Sequence, residues 1–344
     1  MTRGSLSRAR AATALFIIAG SVLAAAWRSR AAAVQPSPRG KWYKGNTHTH
    51  SLNSDGDSTP EDVVRWYREH GYNFLVLSDH NFLTNIDGLN AVHAARDQFL
   101  LIKGEEVSDR YGDKAIHVNG LDISDTVEPR HGSSVVDVLQ RNIDAIRSAN
   151  GIPHVNHPNF TWAITADDLK QVQNDKLFEI YNGHHLVNNL GGGGVPGTEE
   201  VWDRILSSGK LIFGLAVDDA HTFKQPWNPD VAAPGRGWVY VRAESLAPRA
   251  IVDALERGDF YASTGVELAD YQLTEQTLTI TVKQDPRNVS KYRVMFIGRN
   301  GQLLSEATST KAEYAFRRDD LYVRAKIIES NGHMAWTQPV WRGR

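Results

Sequence analysis

Short apolar runs alternate with amphipathic stretches from about residue 41 to residue 260. The runs predict buried strands, which we expect at Phe74–Leu77, Phe99–Ile102, Leu177–Tyr181, Leu211–Val217 and Trp238–Val241. The amphipathic stretches predict helices, which we expect at Pro60–Gly71, Leu89–Asp97, Ser133–Ala149, Thr198–Leu206 and Leu246–Glu256. Strands that alternate with helices predict an α/β fold with a parallel sheet, either a barrel or an open sheet.

The pattern changes towards the C-terminus. Thr277–Val282 alternates with period two, which indicates a half-buried strand, and Tyr292–Ile297 and Leu321–Ile328 predict further strands. We therefore expect a small β-sandwich-like domain over residues 267–344, after a larger domain over residues 41–266. The expected role of the smaller domain is to pack against the larger one.

The N-terminus has the layout of an export signal. Three arginines precede an apolar run over residues 11–26, and small residues follow. The run is shorter than the ~20 residues of a membrane-spanning helix. We expect residues 1–33 to be a signal peptide or, if uncleaved, a membrane anchor, and residues 34–40 to be a linker. The protein is then exported, periplasmic or extracellular, and contacts a membrane only through an uncleaved anchor.

Composition narrows the possible functions. The 38 basic residues nearly balance the 40 acidic ones, and the net charge of -2 gives no field that attracts nucleic acid, so we expect no nucleic-acid partner. The chain has no cysteine, which excludes disulfides and thiolate metal sites. Hydrophobic residues at 41% and charged residues at 23% are ordinary for a globular protein.

Histidines and carboxylates recur directly after the predicted strands. They form five groups, which are His48-Thr49-His50 with Asp55, Asp79-His80, Glu105-Glu106, His154 to His157, and Asp218-Asp219 with His221. Neutral imidazole and carboxylate are ligands for divalent zinc, manganese and iron. Because sites in α/β folds form at the carboxyl ends of strands, these groups predict one polynuclear metal site.

The residues alone leave several assignments open. Side chains two apart in a strand point the same way, so His48 and His50 can reach one ion together. Elsewhere two neighbouring carboxylates compete, and the open choices are Asp55 or Asp57, Glu105 or Glu106, and Asp219 or Asp218. Asp218 would face away from Asp219 and could instead hydrogen-bond to a ligand. His117 taken alone is more typical of a surface histidine than of a ligand.

With these residues assembled, the chain resembles the polymerase and histidinol phosphatase (PHP) superfamily over residues 41–265. The superfamily motifs are His-x-His followed by Ser-Asp-Gly, then Ser-Asp-His, Gly-x-Glu, a lone His, His-Pro and Asp-x-His, and all occur here in that order. The resemblance implies a distorted (β/α)7 barrel with two or three divalent ions (Zn, Mn or Fe) at the strand ends. It selects Glu106 over Glu105 and Asp219 over Asp218.

The resemblance also implies which side chains hold which ion. The implied ligands are His48, His50, Glu106 and Asp219 for one ion, Glu106, His117 and His157 for a second, and Asp55, His80 and His221 for a third. Asp55 stands where other members have a histidine slightly further along the chain. Within the superfamily, the chain resembles an exported branch that includes carbaryl (carbamate) hydrolases. The features that carry this resemblance are the export signal, the motif Gly-x-Ala-x-Asp-Asp-Ala-His over residues 214–221 and the C-terminal β region.

The chemistry implied is hydrolysis of a small-molecule substrate. Two ions about 3.5–4 Å apart would share a bridging water and lower its pKa towards ~7. We expect phosphomonoester hydrolysis first; the alternatives are carbamate or carboxyl-ester hydrolysis and, in a different class, a metal- or wall-binding module without turnover. His184, His185 and Arg236 are the candidate substrate contacts.

Overall fold

The computed structural model describes Met1, residues 40–287 and residues 289–342. The predicted signal or anchor over residues 1–33 and the linker up to residue 39 lie outside the described residues, apart from Met1. Within the described part, no helix combines the length and the apolar character needed to cross a membrane.

The helices follow the amphipathic stretches. Those of the described residues are α1 (Pro60–Glu69), α2 (Asp87–His93), α3 (Val135–Ser148), α4 (Ala166–Gln171), α5 (Thr198–Ser207) and α6 (Pro248–Arg257). Local chemistry fixes several ends: Thr59 accepts a hydrogen bond from the Asp62 N–H at the start of α1, and α6 stops at Gly258 in the left-handed conformation. Helix α2 begins two residues earlier than expected, and α4 is not predicted from the sequence.

The strands are more numerous than the sequence predicts. They are β1 (Lys41–Asn46), β2 (Phe74–Val76), β3 (Leu100–Ile102), β4 (Gly104–Tyr111), β5 (Lys114–Leu121), β6 (Ile152–Val155), β7 (Leu177–Asn182), β8 (Phe213–Val217), β9 (Trp238–Ala243), β10 (Phe260–Ser263), β11 (Leu268–Leu273), β12 (Thr277–Val282), β13 (Tyr292–Ile297), β14 (Leu303–Ala307), β15 (Lys311–Ala315), β16 (Tyr322–Glu329), β17 (Met334–Thr337) and β18 (Val340–Trp341). The hairpin of β4 and β5 is the largest unexpected element.

The strands form three sheets rather than a closed barrel. The sheets have the orders β14-β13-β16-β17-β10-β9-β1-β2-β3, with β18 beside β16, then β4-β5-β6-β7-β8, and β11-β12-β15. The pairs β1–β2, β2–β3, β6–β7 and β7–β8 are parallel, whereas β4–β5, β5–β6 and β1–β9 are antiparallel. The α/β class is confirmed, but the predicted (β/α)7 barrel is not, because the β4–β5 hairpin replaces a helical crossover and the described sheets do not close.

The C-terminal strands continue the largest sheet. Strands β13, β16 and β17 extend it beyond β10, and the sheet of β11, β12 and β15 packs apolar side chains such as Ile280 and Tyr314 against Val294 and Phe296. The predicted separate sandwich is therefore not confirmed, since one of its layers belongs to the large sheet. The boundary at residue 266 remains a prediction.

A buried ion pair fastens this region to α5. Arg324 of β16 donates to both carboxylate oxygens of Asp203 at 2.7 and 2.9 Å, and its guanidinium lies 4.8 Å from the Trp202 ring centroid. Only 1% of the Arg324 side chain is exposed. The C-terminal strands thus pack on a helix of the predicted larger domain.

Candidate metal centre

Several strands end at one place, and the predicted ligands follow them. His48 and His50 come after β1, His80 after β2, His157 after β6, and Asp219 and His221 after β8. Isolated parallel bridges between Thr49 and Ala220 and between His80 and Glu106 join the large sheet to the five-stranded sheet at this point. Ligands that lie far apart in the sequence are therefore held together by backbone pairing.

The first ligand group is completely buried. The Nε2 atoms of His48 and His50 lie 3.2 and 3.3 Å from Glu106 Oε2, and both lie 3.2 Å from Asp219 Oδ1. Asp219 adopts a left-handed backbone conformation with φ 50°, which is uncommon outside glycine and is often found at functional sites. Four nitrogen and oxygen atoms thus face a common point.

The second group uses the other oxygen of the same carboxylate. Glu106 Oε1 lies 2.9 Å from His117 Nδ1 and 3.2 Å from His157 Nε2. Glu106 belongs to β4 and His117 to β5, so the unexpected hairpin supplies both. Glu106 can therefore bridge two ions.

The third group is more open to solvent. Asp55, with 56% of its side chain exposed, places carboxylate oxygens 3.6 Å from His50 Nδ1, 3.6 Å from His80 Nε2 and 3.3 Å from His221 Nε2.

The predicted ligands form four overlapping groups. Within each group the possible ligand atoms all lie within 4.8 Å of one another. The groups are His50, Asp55, His80 and His221; His48, His157 and Asp219; His48, His50 and Glu106; and His80, Glu106 and His117. The structure thus brings together all nine predicted ligands.

The donor atoms fit a divalent cation. His48 Nε2, His50 Nε2 and Glu106 Oε2 are buried, and within the described residues none has a hydrogen-bond partner. A buried polar atom without a partner costs roughly 1–3 kcal/mol, so such atoms are rare in native proteins. Imidazole nitrogens and carboxylate oxygens around one point are a donor set for zinc, manganese or iron. These atoms could hold such an ion.

Histidines and carboxylates in the site stabilise each other's charged forms. Burial alone would raise the pKa of Glu106, but His80, His48 and His117 outweigh it and hold that pKa well below its usual range. Burial likewise opposes protonation of His80, yet Glu106 and Asp55 raise its pKa to about 9. Burial lowers the pKa of His50 to about 4. Glu106 is therefore a carboxylate that is ready to bind a cation.

The structure separates the competing carboxylates. Glu106 faces the site, whereas Glu105 points to the other side of β4 and accepts a hydrogen bond from the Val127 N–H at 2.9 Å. Asp218 faces away from the ligands, as expected, and accepts from the Tyr67 hydroxyl at 2.8 Å.

Asp57 also has a structural role. Its carboxylate accepts from the backbone N–H groups of Phe223 at 2.9 Å and Lys224 at 3.2 Å. Asp57 thereby ties the loop after β1 to the segment after β8, while Asp55 faces His80 and His221.

Sequence reasoning missed the residues that hold the ligands. Glu179 of β7 lies 2.7 Å from His48 Nδ1, and Asn156 donates to Glu106 Oε1 at 2.7 Å. Glu179 had a detectable signal, because it is the one charged residue inside the apolar run Leu177–Tyr181. A charge in a fully buried strand requires partners.

Of the predicted substrate contacts, His184 lies nearest to the ligands. Its ring centroid is 5.4 Å from that of His221, and its Nδ1 accepts a hydrogen bond from the Leu186 N–H, which leaves the ring proton on Nε2. His185 is exposed and stacks on His184 at 4.6 Å. The Arg236 guanidinium donates to the carbonyl oxygens of Gly183 and Asn228, so it joins two loops, and its substrate contact stays a prediction.

A solved structure of another protein has a fold similar to that of this chain. No protein-family model matches the chain. A solved structure from Bacteroides vulgatus, a two-domain protein containing a predicted PHP-like metal-dependent phosphoesterase, superposes with a TM-score of 0.51 at 16% identity, over 91% of this chain and 99% of that one. The chain therefore has the fold of that two-domain protein.

Two curated proteins are similar in sequence over shorter regions. A 5'-3' exoribonuclease of Haemophilus influenzae is 26% identical over 171 residues, which are 49% of this chain and 59% of the relative. An uncharacterized protein of Methanocaldococcus jannaschii is 24% identical over 154 residues, which are 41% of this chain and 70% of the relative. The matched region thus spans little more than half of the exoribonuclease.

Proposed function

We propose that this protein is a PHP-type metal-dependent hydrolase and that its reaction is the hydrolysis of phosphomonoesters. One observation carries the proposal: Glu106 presents Oε2 to His48 and His50 and Oε1 to His117 and His157, so a single buried carboxylate connects two sets of imidazole ligands. This arrangement is typical of two-metal hydrolytic sites. The fold shared with the Bacteroides protein agrees with it.

The nine predicted ligands would form three metal sites. In the sets that the resemblance implies, His48, His50, Glu106 and Asp219 would hold one ion, His117 and His157 would complete a second site with Glu106, and Asp55, His80 and His221 would form a third. Divalent ions at such positions lower the pKa of a bound water and neutralise negative charge on the substrate.

His184 is the candidate for orienting the substrate. Burial lowers its pKa to about 4, an effect that Asp219 opposes and His221 reinforces, so the ring is neutral at physiological pH. A neutral ring with its proton on Nε2 can donate a hydrogen bond to a phosphoryl oxygen without competing for metal.

We propose a small-molecule substrate. The name of the Haemophilus relative refers to RNA, but this chain has a net charge of -2, which provides no general attraction to a polyanion. We also propose export to the periplasm or beyond, on the basis of the apolar run over residues 11–26.

Carbamate or carboxyl-ester hydrolysis is the second candidate, and apolar residues beside the ligands favour it. Phe160 lies 5.2 Å from the His157 ring and 6.1 Å from the His184 ring, measured between centroids. Phe82 and Leu186, close in sequence to His80 and His184, are 46% and 56% exposed. Such side chains suit a substrate with an apolar group.

A substrate panel on metal-loaded protein separates the two reactions. Turnover of nitrophenyl phosphate without turnover of naphthyl acetate or naphthyl carbamate supports the first reaction, and the opposite selectivity rejects it in favour of the second. His50→Ala and Asp219→Ala should each reduce bound metal and hydrolysis together. Unchanged hydrolysis in both variants would reject the assigned site, and no turnover of any compound would favour a binding module.

A further inference from the structure

Glu179 is a fully buried carboxylate behind the ligands. Its Oε1 lies 2.7 Å from His48 Nδ1, the ring atom opposite the one that faces Glu106 and Asp219. Its Oε2 accepts from the His157 backbone N–H at 2.7 Å. One carboxylate therefore contacts a ligand of the first group and a ligand of the second.

A third ligand is reached through an amide. Asn182 donates from Nδ2 to Glu179 Oε2 at 2.8 Å and to Asp219 Oδ2 at 3.0 Å. His154 also lies behind the site, with Nε2 3.2 Å from Glu179 Oε1. The polar atoms around Glu179 thus come from three segments of the chain, which are the residues after β1, the end of β6 and the end of β7 itself.

A bulge in β7 brings Glu179 and Asn182 to the same side of the strand. Residues 179 and 182 are three apart, so in a regular strand their side chains would point to opposite faces. In the pairing of β7 with β8, Glu179 lies opposite Leu215 and Tyr181 lies opposite Ala216, so β7 has one extra residue. Such a bulge redirects the following side chain, and here it turns Asn182 to the same side as Glu179.

We propose that Glu179 is a positioning residue that sets the metal affinity of the centre by fixing His48, His157 and Asp219. The inference rests on the metal site of the proposed function, but it does not require any particular reaction. Glu179 holds a proton on His48 Nδ1, so Nε2 is the nitrogen that faces Glu106 and Asp219 and that offers its lone pair to an ion once it has lost its own proton.

Substitution by glutamine tests this with little change of shape. A glutamine has one acceptor oxygen and one N–H2 donor, whereas His48 Nδ1 and the His157 N–H both require an acceptor. In the variant, the glutamine N–H2 group therefore faces a second donor at one of these two contacts. We expect Glu179→Gln to weaken Zn²⁺ binding by about 10–100-fold, the range for changes to groups that orient metal ligands.

Glu105→Gln is the matched control. Glu105 is equally buried and precedes Glu106, but it contacts the Val127 N–H on the other side of β4. Competition of the purified full chain with a chromophoric chelator for Zn²⁺ should leave the affinity of this variant within about twofold of the unsubstituted protein, since its contacts do not include a ligand.

Two readouts separate positioning from a general packing role. The visible spectrum of the Co²⁺-loaded protein should change in Glu179→Gln and not in Glu105→Gln, because it reports the coordination geometry. The rise in thermal midpoint on adding Zn²⁺ should shrink in Glu179→Gln, following the loss of affinity. Zn²⁺ affinity within about twofold of the unsubstituted protein, or an unchanged Co²⁺ spectrum, would overturn the proposal.

Asn182→Ala keeps the test decisive if Glu179→Gln does not fold. This variant leaves Glu179 in place and removes its link to Asp219, so Zn²⁺ affinity should fall in the same direction; unchanged affinity would overturn the proposal. Failure of the proposed hydrolysis is distinguishable, because it would appear as absent turnover in the unsubstituted protein whatever the metal affinities of the variants.

Discussion

Loading the metal-free protein should release protons, and their number follows from the site. Against the effect of burial, Glu106 and Asp55 raise the pKa of His80 to about 9, so His80 is mostly protonated at pH 7.5. Burial also opposes the protonation of His48, but Asp219, Glu106 and Glu179 outweigh it and raise its pKa well above the usual range. Imidazole binds a metal only when it is neutral, so these two histidines should release about two protons. Carboxylates also raise the pKa of His157 and of His221 against the effect of burial, so these two ligands can only add to that count.

The protonation of His80 also sets how metal affinity depends on pH. Protons compete with the ion wherever His80 is protonated, so metal affinity should increase as the pH rises from 7 towards 9. His80 alone contributes about tenfold per pH unit, and its contribution should disappear above pH 9. His50 adds no proton in this range, because burial lowers its pKa to about 4.

Isothermal titration calorimetry with Zn²⁺ in buffers of different ionisation enthalpy measures the proton count. His80→Gln should lower the count by about one proton. His93→Gln is the control: His93 is also buried, but it lies on α2, with Nε2 2.8 Å from Glu61 of α1. No proton release, or an affinity that falls from pH 7 to 9, would show that His48 and His80 are not protonated in the metal-free protein.

Three further outcomes are expected. Glu106→Gln should lower the number of bound ions while Glu105→Gln retains them, and equal metal content in the two variants would contradict the bridging role. Arg324→Ala leaves the buried carboxylate of Asp203 without its cationic partner and with the Tyr322 hydroxyl as a remaining donor, so urea unfolding should show a loss of about 3–5 kcal/mol, and a loss below ~1 kcal/mol would contradict this. His184→Ala should raise KM at unchanged metal content; an unchanged KM would exclude a substrate contact.

The convergence of the candidate ligands could be predicted from the sequence because it depends on residue types at strand ends. His48 and His50 follow β1, and Asp219 and His221 follow β8, where parallel strands bring their ends together. The opposite orientation of Asp218 also followed from the alternation of side chains.

The parts that the sequence did not predict depend on long-range pairing. The β4–β5 hairpin carries Glu106 and His117 inside strands rather than after them, although Gly112 at its turn and the alternation around Val107 were available signals. Nothing in the local pattern shows that β13 and β16 join the sheet that contains β1. Such pairing is set by burial across the fold, which local periodicity does not report.

The proposed cluster of cations at the ends of these strands can be tested by metal analysis coupled to hydrolysis. The purified protein should contain about two or three divalent ions per chain, lose hydrolysis of its best panel substrate after exhaustive chelation, and regain it when Zn²⁺ or Mn²⁺ is restored. Full hydrolysis by protein that contains no measurable metal would contradict the account.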